Sequence, residues 1–304
     1  MRDRPRRVDR AHGLCHRIPK AEPSPDAVTQ IAYSGRRGCS VYSGGVVCWS
    51  SRSTYSAVVP VAVAVLGSLR VVVDEVDVTP TSPKARALLA SLALRGGDVV
   101  SVDRLGDELW PHLPPDRARR VIQVRVAEMR KLLASGGAPS VVKFVHPGYR
   151  MALPPGSLDV NRFTDLLGRA QQCGDRIGAM TMLREALGLW RGDALADVRA
   201  SHFLEEEAGR LEQLRLVAIE ERVAAELDDG CHHRLVPELE AMVVEHPLRE
   251  QLWQQLITAL YRCGRQTEAL RACRAARQVL REEVGVEPGR ELRDVEAAVL
   301  GQDP

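Results

Sequence analysis

Residues 116–134 read DRARRVIQVRVAEMRKLLA, and the spacing of their apolar members decides how the first half of the chain folds. Ile122, Val126, Met129 and Leu133 recur at i, i+4, i+7 and i+11, the period of one buried helix face. At about 100° per residue the opposite face holds Arg117, Arg120, Val124, Ala127 and Lys131, flanked by Gln123 and Arg130. That face is basic with one amide, and residues 115–152 together carry 8 basic and 2 acidic groups. Arginine and lysine neutralise phosphates, arginine reads guanine bidentately, glutamine reads adenine, and Val124 or Ala127 offers a methyl surface to thymine. A charged helix face is more often simply solvated. This one follows a short helix and precedes a glycine-turned hairpin bearing Lys143, His146 and Arg150, which turns the reading toward DNA.

Upstream, Val61–Leu66 and Leu69–Val73 are β-rich runs joined by a Gly67-Ser68 turn, and a short third strand around Val76–Val78 follows Asp74-Glu75. Thr81-Ser82-Pro83 starts a helix with Ser82 as N-cap and Pro83 at its first position; Leu88, Leu89, Leu92 and Leu94 form its stripe, and Gly96-Gly97 stops it. Ser101 caps a second helix that runs through Leu105 and Leu109 to Trp110 and ends at Pro111. After the basic helix, Gly136-Gly137 breaks the pattern, and strands Ser140–Val145 and Tyr149–Leu153 turn at His146-Pro147-Gly148. The expected order over residues 58–153 is three strands, three helices and a hairpin, an α+β domain.

A linker at 154–158, containing Pro154-Pro155-Gly156, leads into residues 159–304, where nearly everything reads as helix. Phe163, Leu166, Ala170, Gly174, Ala179, Leu183 and Ala186 fit one tetratricopeptide-type unit, and Trp253, Leu256, Leu260, Gly264, Ala269, Cys273 and Ala276 repeat its register. Gly230 and Pro247 mark a middle unit, and an extra helical stretch lies near His202–Leu216. An ordinary helical bundle with glycine at its turns is the alternative. The fold class expected is mainly α, an α+β front domain followed by an all-α repeat domain.

Length and charge agree with two domains. The 304 residues exceed what one core usually occupies. The net charge of +2 is a cancellation: residues 1–57 carry 10 basic and 4 acidic groups, 58–157 carry 13 and 9, and 158–304 carry 19 and 27. Contact with a polyanion is therefore expected in the front half. The apolar run Ala57–Leu66 is too short to span a bilayer. Seven cysteines without a C-x-x-C pair argue against a disulfide framework and for a reducing cytoplasm. The runs His12-Gly13-Leu14-Cys15-His16 and Cys231-His232-His233 each lack a second ligand pair, so no metal and no other cofactor is expected. There is no G-x-x-x-x-G-K-[ST], no G-x-S-x-G and no H-E-x-x-H, so an enzyme is not the expectation. Residues 1–57 are rich in Arg, Ser, Gly and Pro with no sustained period; they read as disordered or as a leader from a start codon placed too far upstream.

Residues 60–300 resemble a known family. Pro83-Lys84-Ala85-Arg86-Ala87-Leu88-Leu89, Val100-Ser101-Val102-Asp103-Arg104-Leu105, Glu108-Leu109-Trp110 and Pro147-Gly148-Tyr149-Arg150 are similar to the OmpR-like winged helix of the Streptomyces antibiotic regulatory proteins. His246-Pro247-Leu248-Arg249-Glu250, Leu260-Tyr261-Arg262 and Gly264-Arg265-Gln266-Thr267-Glu268-Ala269-Leu270 resemble that family's bacterial transcriptional activation domain. The resemblance implies a winged helix-turn-helix and a cytoplasmic, nucleoid-associated activator of secondary-metabolite genes. It also implies binding to promoter direct repeats as a dimer or as tandem protomers, and engagement of RNA polymerase. By position, Arg120, Gln123, Arg125 and Arg130 fall on the recognition helix, Lys84 and Arg86 near the DNA backbone, and Lys143 to Arg150 on the wing. The chain departs from the family pattern at Glu128, at Val145 where an arginine is common, and at Arg125, which lies nearer the core edge of the helical wheel. The alternative function is a tetratricopeptide-type interaction scaffold whose helical half senses a partner or ligand.

Overall fold

The computed structural model describes residues 60–302 together with two four-residue strands, β1 (Cys39–Tyr42) and β2 (Gly45–Cys48), paired antiparallel in a unit of their own. The expectation for residues 1–57 otherwise lies outside the described residues, as do His12, Cys15 and His16.

The main unit begins with an antiparallel sheet, β3 (Val61–Ala64), β4 (Arg70–Val73) and β5 (Val76–Asp77), in register Val61↔Val73 and Val72↔Asp77. Val61, Val63, Val71 and Val73 point inward and Ala62 and Arg70 outward, the period-two alternation of a half-buried strand. β3 stops at Ala64, two residues before its apolar run ends. Val65 and Leu66 leave the ladder because their N–H groups donate to the Asp159 carboxylate at 2.9 and 3.0 Å, and their carbonyls accept from Leu195 and Arg191. Both side chains are fully buried at that junction.

Helix α1 (Pro83–Leu94) starts at Pro83 as expected, although Ser82 makes no side-chain cap bond. Instead of one stripe it buries 8 of its 12 residues, because it lies among the two helices that follow, the C-terminal hairpin of this half and the rear half. A two-residue strand absent from the sequence reading, β6 (Val100–Ser101), joins the C-terminal hairpin of this half, β7 (Val142–Val145) and β8 (Gly148–Met151), in the order β6-β8-β7. Between them run α2 (Val102–Leu109) and α3 (Pro115–Ser135). Ser101 caps α2 through Arg104 N–H at 3.2 Å, and α3 buries Ala118 with the expected Ile122, Val126, Met129 and Leu133.

The rear half is all helix: α4 (Asp159–Gln172), α5 (Arg176–Leu187), α6 (His202–Asp228), α7 (His232–Glu245), α8 (Glu250–Arg262), α9 (Gln266–Glu283) and α10 (Arg290–Gly301). α4/α5, α6/α7 and α8/α9 form hairpins, and α10 packs on α8 and α9. The repeat residues Phe163, Leu166, Ala170, Leu183 and Ala186, and later Trp253, Leu256, Leu260, Ala269, Cys273 and Ala276, are buried. Gly230 and Gly264 turn their hairpins at φ +83° and +73°, a left-handed backbone that a side chain disfavours. The extra stretch near His202 is not a separate helix. It continues into the middle hairpin as the 27-residue α6, about 40 Å long.

The cores do not divide at residues 154–158. One core runs from Val61 through the winged half, α4 and α5 to Ala218; the other runs from Leu216 to Val299, so α6 belongs to both. Ser157 carbonyl accepts Val63 N–H at 2.7 Å, and Leu158 bridges Val63 in parallel. Asp197, in the loop after α5, accepts Leu69 N–H at 2.8 Å and pairs with Arg86. The Arg95 guanidinium lies 3.6 Å from the Phe203 ring centroid and forks onto Glu108 at 2.7 and 2.8 Å. Burial raises the Asp159 carboxyl above its ordinary range, opposed by the N–H bonds from Leu66 and Val65 and by Arg191.

A fragment of residues 58–157, cut where the sequence places the domain boundary, is therefore expected to lack cooperative unfolding, whereas a fragment of residues 58–230 keeps the front core and unfolds cooperatively by circular dichroism. Asp159→Ala strands two strand-end N–H groups and is expected to cost about 2–3 kcal/mol in urea denaturation. A 58–157 fragment as stable as 58–230 would contradict the shared core.

Candidate nucleic-acid interface

Helix α3 presents the candidate surface. Pro114 and Pro115 fix its start, and Asp116 in its first turn suits the positive end of the helix dipole. With the buried stripe facing α1 and α2, Arg117, Arg120, Gln123, Val124, Ala127 and Lys131 are exposed. From Arg117 to Lys131 they span about 21 Å along the axis. Among the described residues, the ion pairs of α3 are Arg119 with Asp103 at 2.8 Å and Arg125 with Glu128 at 2.7 Å. Arg117, Arg120 and Lys131 are left as uncompensated charges on one face, and Lys143 joins them from β7.

The other residues singled out from sequence sit differently. Arg130 is half-buried: its Nε donates to the Val142 carbonyl at 3.0 Å and its guanidinium lies 5.8 Å from the Tyr149 ring centroid, which ties α3 to the wing hairpin. Arg125 is half-buried at the core edge and turned onto Glu128. Lys84 caps the C-terminus of α2, its Nζ donating to Leu109 carbonyl at 2.7 Å beside the Trp110 ring. Arg86 is held by Leu69 and Pro80 carbonyls and by Asp197, facing the rear half. His146 is exposed at the hairpin turn, and Arg150 is half-buried on β8.

The structure thus brings Arg117, Arg120, Gln123, Val124, Ala127 and Lys131 together on α3, with Lys143 and His146 on the hairpin beside it. Lys84, Arg86 and Arg130 spend their charges on the scaffold. Two contributors escape a sequence reading. Arg119 pairs across to Asp103 on α2 at 2.8 Å, which takes its charge out of the free row; only the acidic residue at Asp103 hints at this. Phe144, 55% exposed on β7, stacks edge-on against Tyr149 at 5.3 Å. In the period-two pattern of its strand it is indistinguishable from a core residue.

The wing depends on one close approach. β6 passes so near β8 that a Cβ on Gly148 would meet the Val100 carbonyl oxygen at 1.7 Å. Among the described residues no group of three or more His, Cys, Asp or Glu is placed to hold a metal. Cys173, Cys231, Cys263 and Cys273 are free thiols, and burial pushes the Cys273 thiol up to about 11.

The family model described as "Transcriptional regulatory protein, C terminal" matches residues 76–151, and that described as "Bacterial transcriptional activator domain" matches residues 158–300. The chain is 38% identical over 238 residues to the regulatory protein DnrI of Streptomyces peucetius, covering 75% of this chain and 88% of that one. It is 38% identical over 244 residues to the regulatory protein AfsR of Streptomyces coelicolor, covering 79% of this chain but only 24% of AfsR. It is 37% identical over 227 residues to the transcriptional regulator RedD of S. coelicolor, covering 73% and 65%. A solved structure of Mycobacterium tuberculosis EmbR in complex with a low-affinity phosphopeptide is similar at TM-score 0.77 and 36% identity, over 81% of this chain and 66% of that one.

Gly148→Ala forces β6 and β8 apart and is expected to cost about 3 kcal/mol or more, read as a lowered urea midpoint. Gly209→Ala, at an exposed position inside α6 with nothing within 4 Å, is the control and is expected to stabilise by about 1 kcal/mol. Equal midpoints for the two variants would remove the close approach from the account.

Proposed function

This chain belongs to the Streptomyces antibiotic regulatory protein family of transcriptional regulators, and from that premise we propose that it binds double-stranded promoter DNA with α3 and activates transcription of secondary-metabolite genes. The observation that carries the reading is the row Arg117, Arg120 and Lys131, free of carboxylate partners among the described residues, beside a hairpin that adds Lys143. Charges left unpaired on one helix face give up no ion pair when phosphates arrive, whereas Arg119 and Arg125 would first have to break theirs. Phosphate contacts supply affinity, with Val124 at the centre of the face and Ala127 and Gln123 toward its edge offered to base edges.

Activation falls to the helical array. Its second core, from Leu216 to Val299, lies away from α3 along α6 and presents the acidic half of the chain to RNA polymerase subunits. Binding to direct repeats as tandem protomers or a dimer, and action in the cytoplasm on nucleoid DNA, complete the proposal. No catalytic step enters it, and among the described residues no helix is long and apolar enough to cross a membrane. A free-standing scaffold is disfavoured by the core that α4, α5 and α6 share with the winged half.

Four to six neutralised phosphates per protomer predict that log K falls with log salt at a slope of about −4 to −5, measured by fluorescence anisotropy on promoter DNA. Arg120→Glu with Lys131→Glu is expected to abolish the gel shift without changing the unfolding midpoint, since both side chains are exposed. A flat salt response, or undiminished retention by the double variant, would overturn the assignment of this face. Glu128→Gln releases Arg125 and removes a negative charge, so binding should tighten about two- to fivefold at low salt.

A further inference from the structure

We propose that the shallow groove on the outward face of α3 is a seat for the C5-methyl group of thymine, and that Val124 is the residue that reads it; this rests on the DNA-binding reading above. The groove is an open depression lined by Arg120, Val121, Val124 and Arg125. Val124 is 56% exposed in the middle of a basic face, on the side opposite the buried stripe, and belongs to neither core. Helix propensity does not account for it either, because β-branched valine is a poorer helix former than alanine or lysine.

What such a surface can recognise in the major groove is limited. Guanine, cytosine and adenine present only hydrogen-bonding groups there, and thymine alone adds an apolar one. The polar rim completes the seat. Arg125 is turned aside onto Glu128 at 2.7 Å, which leaves Arg120 as the free donor for the neighbouring phosphate or base edge. Ala127, the other methyl-bearing candidate, is exposed but does not line the groove.

The test uses the full chain and a duplex it selects itself from a randomised library. Each thymine of that duplex is replaced in turn by deoxyuridine, which removes one methyl group and nothing else. At one position in the site, the loss of that buried methyl is expected to weaken binding about fourfold. Val124→Ala, an exposed substitution that raises helix propensity, should bind the parent duplex about fourfold more weakly and no longer distinguish thymine from uracil. Its salt slope should match that of the unsubstituted chain. Lys131→Gln should weaken both duplexes alike and reduce the slope by about one. Equal affinity for the thymine and uracil duplexes at every position overturns the proposal while leaving DNA binding intact, as does methyl discrimination that survives in Val124→Ala. Recovery of no duplex at all overturns both.

Discussion

The Asp159 carboxylate is the constraint on which the arrangement depends. It takes the N–H groups of Val65 and Leu66, where the first strand leaves its sheet, and also the N–H of Val160 at the start of α4. One side chain therefore satisfies the end of a strand and the beginning of a helix from opposite halves of the chain. Water cannot substitute for it, since Val65, Leu66 and Leu158 around it are buried. The cost of burying the carboxylate shows in its raised pKa, and it is tolerated because every alternative leaves strand-end donors unpaired. Arg86 with Asp197 repeats the device at the start of β4.

Much of this architecture was legible in the sequence because local rules and tertiary structure agree. Ile122, Val126, Met129 and Leu133 are buried where their spacing puts them, Ser101 caps α2, and Gly230 and Gly264 turn the hairpins whose register they announce. What escaped was long-range. β6 is two residues long and exists only because β8 lies beside it. The end of β3 was overestimated because Val65 and Leu66 look like strand while serving a carboxylate 94 and 93 residues away. The proline-glycine segment falls between the two family-matched regions, but composition cannot reveal that Ser157 and Leu158 also bond to β3.

The candidate site shows the same division. A helical wheel identified the outward row of α3 correctly from periodicity, yet could not separate cations that face solvent from cations already engaged. Lys84, Arg86 and Arg130 each find a backbone carbonyl, and that depends on where α2, the sheet and the wing happen to pass. Positive charge in this protein thus has two uses. On α1 and α3 some of it closes the ends of helices and strands or pairs with carboxylates, while Arg117, Arg120 and Lys131 are left uncompensated on one face.

Helix α6 runs through both cores, from Leu204 beside the winged half to Leu227 in the rear array. Two modules on a flexible tether meet their targets at an effective concentration that falls as the tether lengthens, and they lose tether entropy when both engage. A continuous helix about 40 Å long, set in packed side chains at each end, has little such entropy to lose. It acts as a caliper rather than a leash: it holds the rear array at a fixed distance and rotation relative to the winged half.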